Sequence, residues 1–141
     1  MLFESLPADW PQRPLTDPEI AAGVVDLCTP ERDRHAGTLV MLLCHPSGRL
    51  MQPVVVNDVP IRLPTPEKAR TWAGLLHAAV SCRASVVLAV GARQPRLTTE
   101  VVAWVDEARA ACAAHDVPLL GIYLASRGDV AALHLPATEA A

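Results

Sequence analysis

Residues 87–100 read VLAVGARQPRLTTE, and they join an apolar segment to a short basic loop and then to a helix start. The apolar segment begins at Ser85 and reaches Val90, which is typical of a buried β-strand. Thr98 follows the loop and is a good N-cap, so the sequence predicts a helix from about Thr98 to His115. A strand, a loop and a helix in this order are typical of α/β proteins.

Two more helices are predicted upstream from their start signals. Thr16 or Asp17 can cap a helix whose first turn contains Pro18. Thr65 can cap a second helix with Pro66 at its first position. In both segments apolar residues recur at helical spacing, which predicts one buried face on each helix.

The remaining segments are predicted to be strands. GTLVMLLC (37–44) and RLMQPVVV (49–56) flank a short turn and form a hairpin signal. Pro53 cannot donate a main-chain hydrogen bond, so the second of these strands is expected at an edge or with a bulge. VPLLGIYLA (117–125) and VAALHL (130–135), separated by a turn, predict the last two strands.

This order of elements predicts an α/β (α+β) fold with a mixed β-sheet of about five strands and helices packed on it. We expect an extended N-terminal arm over residues 1–16, a single domain over 17–136 and a frayed tail over 137–141. Trp10 of the arm is expected to pack on the body of the domain.

Composition narrows the classes of function. The 141 residues include 12 basic and 15 acidic residues, a net charge of −3, and the basic residues are not clustered, so no nucleic-acid binding is predicted. No apolar run approaches the roughly 18 residues of a membrane span, so no membrane partner is expected. Charged residues make up 19% of the chain, below the usual quarter, which favours a surface partly covered by a partner, either a second copy or another protein.

The four cysteines lack the spacing of zinc sites, and no cofactor is predicted. Most of them lie in apolar segments, where a free cysteine behaves as a small hydrophobic residue. A reducing cytoplasm is therefore the expected location.

The hairpin TLVMLLCHPSGRLMQPVVV, then LLHAAVSCRASVVLAV, then LTTEVVAWVDEARAACAAHDVPLLGIYLAS resemble the JAB/MPN domain, particularly its RadC-like branch, over about residues 37–135. The resemblance implies the JAB/MPN (cytidine deaminase-like) fold. Active members hold zinc through a His-x-His-Pro motif and an Asp near the next helix start, with a Ser three residues before that Asp.

The residues of this chain depart from that metal motif. Aligned on LAVGARQPRLTTEVV, the two His positions fall on Val90 and Ala92, the Ser on Thr98 and the Asp on Val101. Hydrocarbon side chains offer no electron pair to zinc. The resemblance therefore implies a member without metal or hydrolytic activity, which serves as a scaffold in protein–protein interaction, as a homodimer.

Two other functions remain open. Backbone N–H groups and basic side chains at a strand-to-helix junction attract anions, so a module binding a small molecule or an anion would use the loop from Gly91 to Thr99. Its candidate residues are Gly91, Arg93, Arg96, Thr98 and Thr99. The second alternative is a divergent enzyme whose residues come together only in three dimensions.

Trp72 and Trp104 are candidates for a contact with a protein partner. Each lies on a predicted helix that should pack on the sheet, which is typical of core residues. If either ring faces outward, it becomes the best candidate for a contact residue, because Trp is enriched among residues that dominate binding energy.

Overall fold

The computed structural model describes residues 3–133, and its centre is one mixed five-stranded sheet. The order across the sheet is β2-β1-β3-β4-β5. The strand β1 is antiparallel to β2 and β3, β3 is parallel to β4, and β4 is antiparallel to β5. The bounds are β1 (Thr38–Cys44), β2 (Leu50–Asn57), β3 (Ser85–Gly91), β4 (Leu119–Ser126) and β5 (Asp129–Ala132). The predicted mixed sheet of about five strands with helices is confirmed.

Four helices accompany the sheet in the described part of the chain. They are α1 (Pro18–Cys28), α2 (Glu31–Ala36), α3 (Thr65–Cys82) and α4 (Thr99–Ala114). Asp17 caps α1 by accepting the N–H of Glu19 at 3.0 Å, and Thr98 caps α4, both as predicted. Thr65 is the first residue of α3 rather than its cap, because Pro64 occupies the cap position.

The two faces of the sheet are buried by different helices. Side chains alternate along β1, so Leu39 and Met41 pack with α3 and α4 while Val40 and Leu42 pack with α1 and the N-terminal arm. Every residue of β1 is buried for this reason. Two apolar residues at helical spacing are exceptions to the predicted buried faces: Leu27 of α1 is 47% exposed and Val80 of α3 is 45% exposed.

The segment before α1 is folded rather than extended, which corrects the predicted arm. It contains single 3₁₀ turns at Phe3–Ser5 and Trp10–Gln12. Trp10 is partly buried and packs against the α1 side of the core, as expected. Leu15 is 1% exposed, so the arm contributes to the core. The predicted end of the domain at 136 and the tail 137–141 lie outside the described residues.

The position of β2 at one edge of the sheet confirms the prediction from Pro53. Pro53 lies opposite Leu42 of β1, and its missing N–H leaves the edge one donor short. The helix α2 was not predicted from the sequence, since its residues ERDRHA contain no apolar stripe.

Candidate functional site

A cleft of about 700 Å³ opens at one end of the sheet. The strands β3 and β4 are parallel, so their last residues, Gly91 and Ser126, lie at the same end of the sheet. In open α/β sheets, ligands bind at the carboxyl ends of such strands. The walls of the cleft come from the end of α2, the β2–α3 loop, the β3–α4 loop, the first turn of α4 and the β4–β5 turn.

Four exposed arginines from three separate loops surround this cleft. Arg62 lies in the β2–α3 loop, Arg93 and Arg96 lie in the β3–α4 loop, and Arg127 lies in the β4–β5 turn. Within residues 3–133, no acidic side chain forms an ion pair with any of these four guanidinium groups. The side chains remain available to a ligand.

Among the described residues that line this cleft, the one carboxylate is already neutralised from within the protein. Glu100 lies in the first turn of α4, and its Oε1 is 2.9 Å from Nζ of Lys68 on α3. Lys68 is 2% exposed, donates to the main-chain oxygen of Leu63 at 2.7 Å and lies 5.5 Å from the ring centre of Trp104. The charge of Glu100 is therefore offset from behind the cleft wall.

A smaller cavity of about 300 Å³ adjoins the cleft. It shares Arg93 and Arg127 with the cleft and adds Arg32 of α2. Its described lining has one carboxylate, Glu31, which lies 3.2 Å from Nη1 of the buried Arg34. In both cavities the carboxylate contacts a buried cation, although Arg34 also pairs with Asp26, and the exposed arginines are unpaired among residues 3–133.

Arg34 joins α2 to α1 and to the β4–β5 turn. Its side chain is 2% exposed, and Nη2 lies 2.5 Å from Oδ1 of the equally buried Asp26. Nε donates to the main-chain oxygen of Thr29 at 2.8 Å, and Nη1 donates to that of Ser126 at 2.8 Å. These bonds use the donors of Arg34 within the protein, so we assign it a structural role beneath the cleft.

The β4–β5 turn, which carries Arg127, is held at both ends by α2. Arg34 bonds the oxygen of Ser126 on one side, and Glu31 accepts the N–H of Gly128 at 3.0 Å on the other. A turn with exposed residues and little packing would otherwise move freely. The two bonds restrict where the guanidinium of Arg127 can lie.

The structure brings together most of the residues that the sequence indicated for an anion site. Gly91, Arg93, Arg96 and Thr98 line the cleft, whereas Thr99 is exposed and lies outside the lining. The hydroxyl oxygen of Thr98 accepts the N–H of Val101 at 3.2 Å, so this oxygen already acts as the N-cap of α4.

Gly91 has a packing role that the sequence did not indicate. A Cβ at this position would lie 2.3 Å from Cγ2 of Thr38, so any larger residue would require the side chain of Thr38 to move. Gly91 therefore shapes the floor of the cleft.

The sequence did not indicate Arg62, Arg127, Lys68 or the cavity at Arg32 as parts of a site. Arg127 lies between the last two predicted strands, where the sequence predicts a turn, and that turn is present. No local signal places these residues near the β3–α4 loop, because they come from loops and helices distant along the chain.

The motif positions of the JAB/MPN resemblance fall at the end of the sheet where the cleft opens. Ala92, Thr98 and Val101 line the cleft, and Val90 is fully buried. The three ligand positions, Val90, Ala92 and Val101, carry hydrocarbon side chains, and Thr98, at the position of the motif's Ser, already accepts a main-chain N–H. These residues do not fit a zinc ion, which takes nitrogen, sulfur or carboxylate ligands. Elsewhere in residues 3–133, no group of three or more His, Cys, Asp or Glu side chains could hold a metal ion.

Trp72 and Trp104 are core residues, which corrects the suggested contact role. Both are 0% exposed, and their rings meet edge to face with centroids 6.1 Å apart. Trp72 donates its indole N–H to the main-chain oxygen of Trp104 at 3.0 Å, and Trp104 donates to that of Ile61 at 2.8 Å. The second bond fixes the β2–α3 loop beside Arg62.

Buried cysteines do not supply a nucleophile. Burial raises the pKa of Cys44 to about 11 and that of Cys112 to about 11, so both thiols stay protonated at neutral pH. Cys82 at the end of α3 is exposed.

No family model matches the chain, and no curated protein matches it either. Within residues 3–133, no helix has both the length and the apolar character needed to cross a membrane.

Proposed function

We propose that this protein binds a small anionic ligand, carrying phosphate or carboxylate groups, in the cleft at the carboxyl ends of β3 and β4. The observation that carries the proposal is the charge balance of the cleft. Four exposed arginines have no acidic partner among residues 3–133, while Glu100 is paired with the buried Lys68.

Arginine is well suited to this role. Its planar guanidinium binds carboxylate and phosphate through two parallel hydrogen bonds and stays charged at any physiological pH. The N-terminus of α4 faces the same cleft and adds the positive end of its dipole. A volume of about 700 Å³ lies within the usual range for ligand pockets, and Ile61, Ala92 and Val101 add apolar lining.

We keep the JAB/MPN-like interpretation as part of this proposal. The observed order of helix, hairpin, helix, strand, helix, strand, strand supports it, with α2 as an addition. In this interpretation the end of the sheet that holds zinc in active JAB/MPN domains binds an anion through arginines in this chain. The chain then has no hydrolytic activity.

Thermal unfolding in the presence of phosphate or citrate tests the proposal. At a ligand concentration one hundred times Kd, binding adds about 2.7 kcal/mol, which raises Tm by roughly 5 to 10 °C for a chain of this size. The variant Arg93→Ala, Arg96→Ala is expected to lose this shift. Arg13→Ala is the matched control, because Arg13 is exposed, pairs with Asp9 and lies outside the cleft. An equal shift in all three proteins would contradict the proposal.

A second candidate function is homodimerisation as a non-catalytic scaffold. Met51 and Val55 of β2 are 39% and 37% exposed, and β2 is an edge strand. Apolar side chains on an open edge favour pairing with another chain. Sedimentation analysis tests this: we expect a dimer that Val55→Lys converts to monomer, and a wild-type monomer at high concentration would exclude it.

A further inference from the structure

We propose that the ligand is a linear molecule with at least two anionic groups, of the diphosphate or triphosphate class, and that it spans the cleft and the smaller cavity together. This inference rests on the proposed anion-binding function. It adds the number and arrangement of the charges that the ligand must carry.

The arrangement of the arginines supports an extended ligand. Arg62 and Arg96 line the cleft alone, Arg32 lines the smaller cavity alone, and Arg93 and Arg127 line both. The positive side chains therefore line two adjoining cavities, and Arg93 and Arg127 are common to both. A ligand with several anionic groups can contact more of these arginines than a single phosphate group can.

The acidic residues support the same conclusion. Glu100 in the cleft pairs with Lys68, and Glu31 in the smaller cavity pairs with Arg34. Both of these cations are buried, but Arg34 also pairs with Asp26 at 2.5 Å, so Glu31 shares that guanidinium with a second carboxylate. The smaller cavity still has three exposed arginines against the single carboxylate of Glu31, so both cavities, rather than one, keep an excess of positive charge that attracts anions.

The shared arginines are held in place for such a bridging role. Arg127 lies on the turn that Arg34 and Glu31 fix at Ser126 and Gly128. Arg93 follows Ala92, whose N–H donates to the oxygen of Ala125 at 2.9 Å and ties the loop to β4. Two arginines that follow anchored backbone and line both cavities suit a group in the middle of a chain of phosphates.

A nucleic acid backbone also presents phosphates in a row. The net charge of −3 and the confinement of these arginines to one cleft and its adjoining cavity favour a small ligand, because nucleic-acid binding needs a larger basic face. A short single-stranded oligonucleotide is therefore included as a probe.

Calorimetric titration with orthophosphate, pyrophosphate and tripolyphosphate at constant ionic strength tests the inference. We expect one tripolyphosphate per chain and an affinity roughly tenfold higher at each step along the series, because each added group gains charge-assisted hydrogen bonds. Arg32→Ala and Arg62→Ala, one from each end, should each reduce the advantage of tripolyphosphate over orthophosphate about tenfold. Arg13→Ala should leave all affinities unchanged.

The outcomes separate the two proposals. Equal affinity for orthophosphate and tripolyphosphate would overturn the extended ligand but leave anion binding intact. Tighter binding of the oligonucleotide than of tripolyphosphate would overturn the small-ligand class. No binding of any probe would overturn the proposed function and this inference together. Circular dichroism of each variant establishes that it is folded, which is expected because both substituted arginines are exposed.

Discussion

Lys68 and Glu100 form an ion pair, with 2.9 Å between Nζ and Oε1, that joins α3 to the first turn of α4 across the wall of the cleft. Lys68 is buried, whereas the side chain of Glu100 is 39% exposed. The pair places a negative charge at the cleft surface and its counter-charge behind it. The electrostatic character of the cleft therefore depends on a lysine that no ligand can touch.

Lys68→Met should weaken anion binding by roughly tenfold, the effect of about 1.4 kcal/mol, because it leaves Glu100 uncompensated beside the ligand. Adding Glu100→Gln should restore most of the affinity, since no charge then remains to repel the anion. The measurement is Kd for phosphate or pyrophosphate in wild type, both single variants and the double variant. If the double variant binds as weakly as Lys68→Met, Lys68 acts through packing and not through Glu100.

Arg34→Met should reduce the free energy of unfolding by about 3 to 5 kcal/mol, because it leaves the buried carboxylate of Asp26 without its counter-charge and with only the N–H of Phe3 as a hydrogen-bond partner. Urea unfolding followed by circular dichroism measures the loss. Arg32→Met is the matched control on the same helix: Arg32 is exposed, and we expect a change within about 0.5 kcal/mol. Equal stability of the two variants would show that the buried pair contributes nothing.

Gly91→Ala should destabilise the protein by about 1 to 3 kcal/mol, because the new methyl group meets Cγ2 of Thr38. Thr38→Ser removes that carbon while keeping the hydroxyl that donates to the oxygen of Val56 at 3.0 Å, so the double variant should recover part of the loss. Gly74→Ala provides the contrast. Nothing lies within 4 Å of its Cβ position, and this substitution within α3 should stabilise by about 0.5 to 1 kcal/mol.

Cys82 should react with a thiol reagent at pH 8 much faster than Cys44 and Cys112. Cys82 is exposed, whereas the other two are buried and the pKa of each is raised to about 11. The thiolate is the reactive form, so burial and protonation act together. Labelling followed by peptide mass spectrometry measures the three rates, with Cys82→Ser to identify the fast phase and urea to expose the slow sites. Fast labelling of Cys112 in the folded protein would contradict the buried placement.

Stability should fall between about pH 9 and pH 11. Burial raises the pKa of Cys44 and Cys112 from an ordinary value of 9.0 to about 11, so in this range the unfolded chain loses thiol protons that the folded chain keeps. Proton loss from the unfolded state favours unfolding, and the associated stability is fully present below pH 9. The urea midpoint of wild type should therefore drop more steeply over this range than that of Cys44→Val, Cys112→Val. If the urea midpoints of wild type and the double variant fall equally over this pH range, these thiols do not contribute to the loss of stability.

Most elements could be predicted from the sequence because their signals are local. Asp17 and Thr98 cap helices through N–H groups two or three residues away, and Pro53 restricts a strand through its own missing donor. The helix α2 has no such local signal. Arg34 makes it part of the fold through contacts with Asp26 and Ser126, one of them 92 residues away.

The candidate site was predictable only in part. Arg93 and Arg96 could be assigned to it because they lie in the loop that enters α4, and a strand-to-helix loop is a recognisable place for an anion. Arg62 and Arg127 are equally exposed arginines in loops, and nothing near them in the chain distinguishes them from Arg13 or Arg49. The burial of both indole rings was the placement that their predicted helices favoured, and the packing of α3 on α4 decided it.

The sequence by itself determined most of the helices and strands, their order along the chain and the hydrocarbon residues at the end of β3, because these depend on side-chain type and on neighbours within a few residues. The tertiary structure alone decided which charges meet and which cancel. Coulomb interactions depend on distance in space and on burial. Both quantities are defined for Lys68, Glu100 and the arginines of the cleft only after the chain has folded.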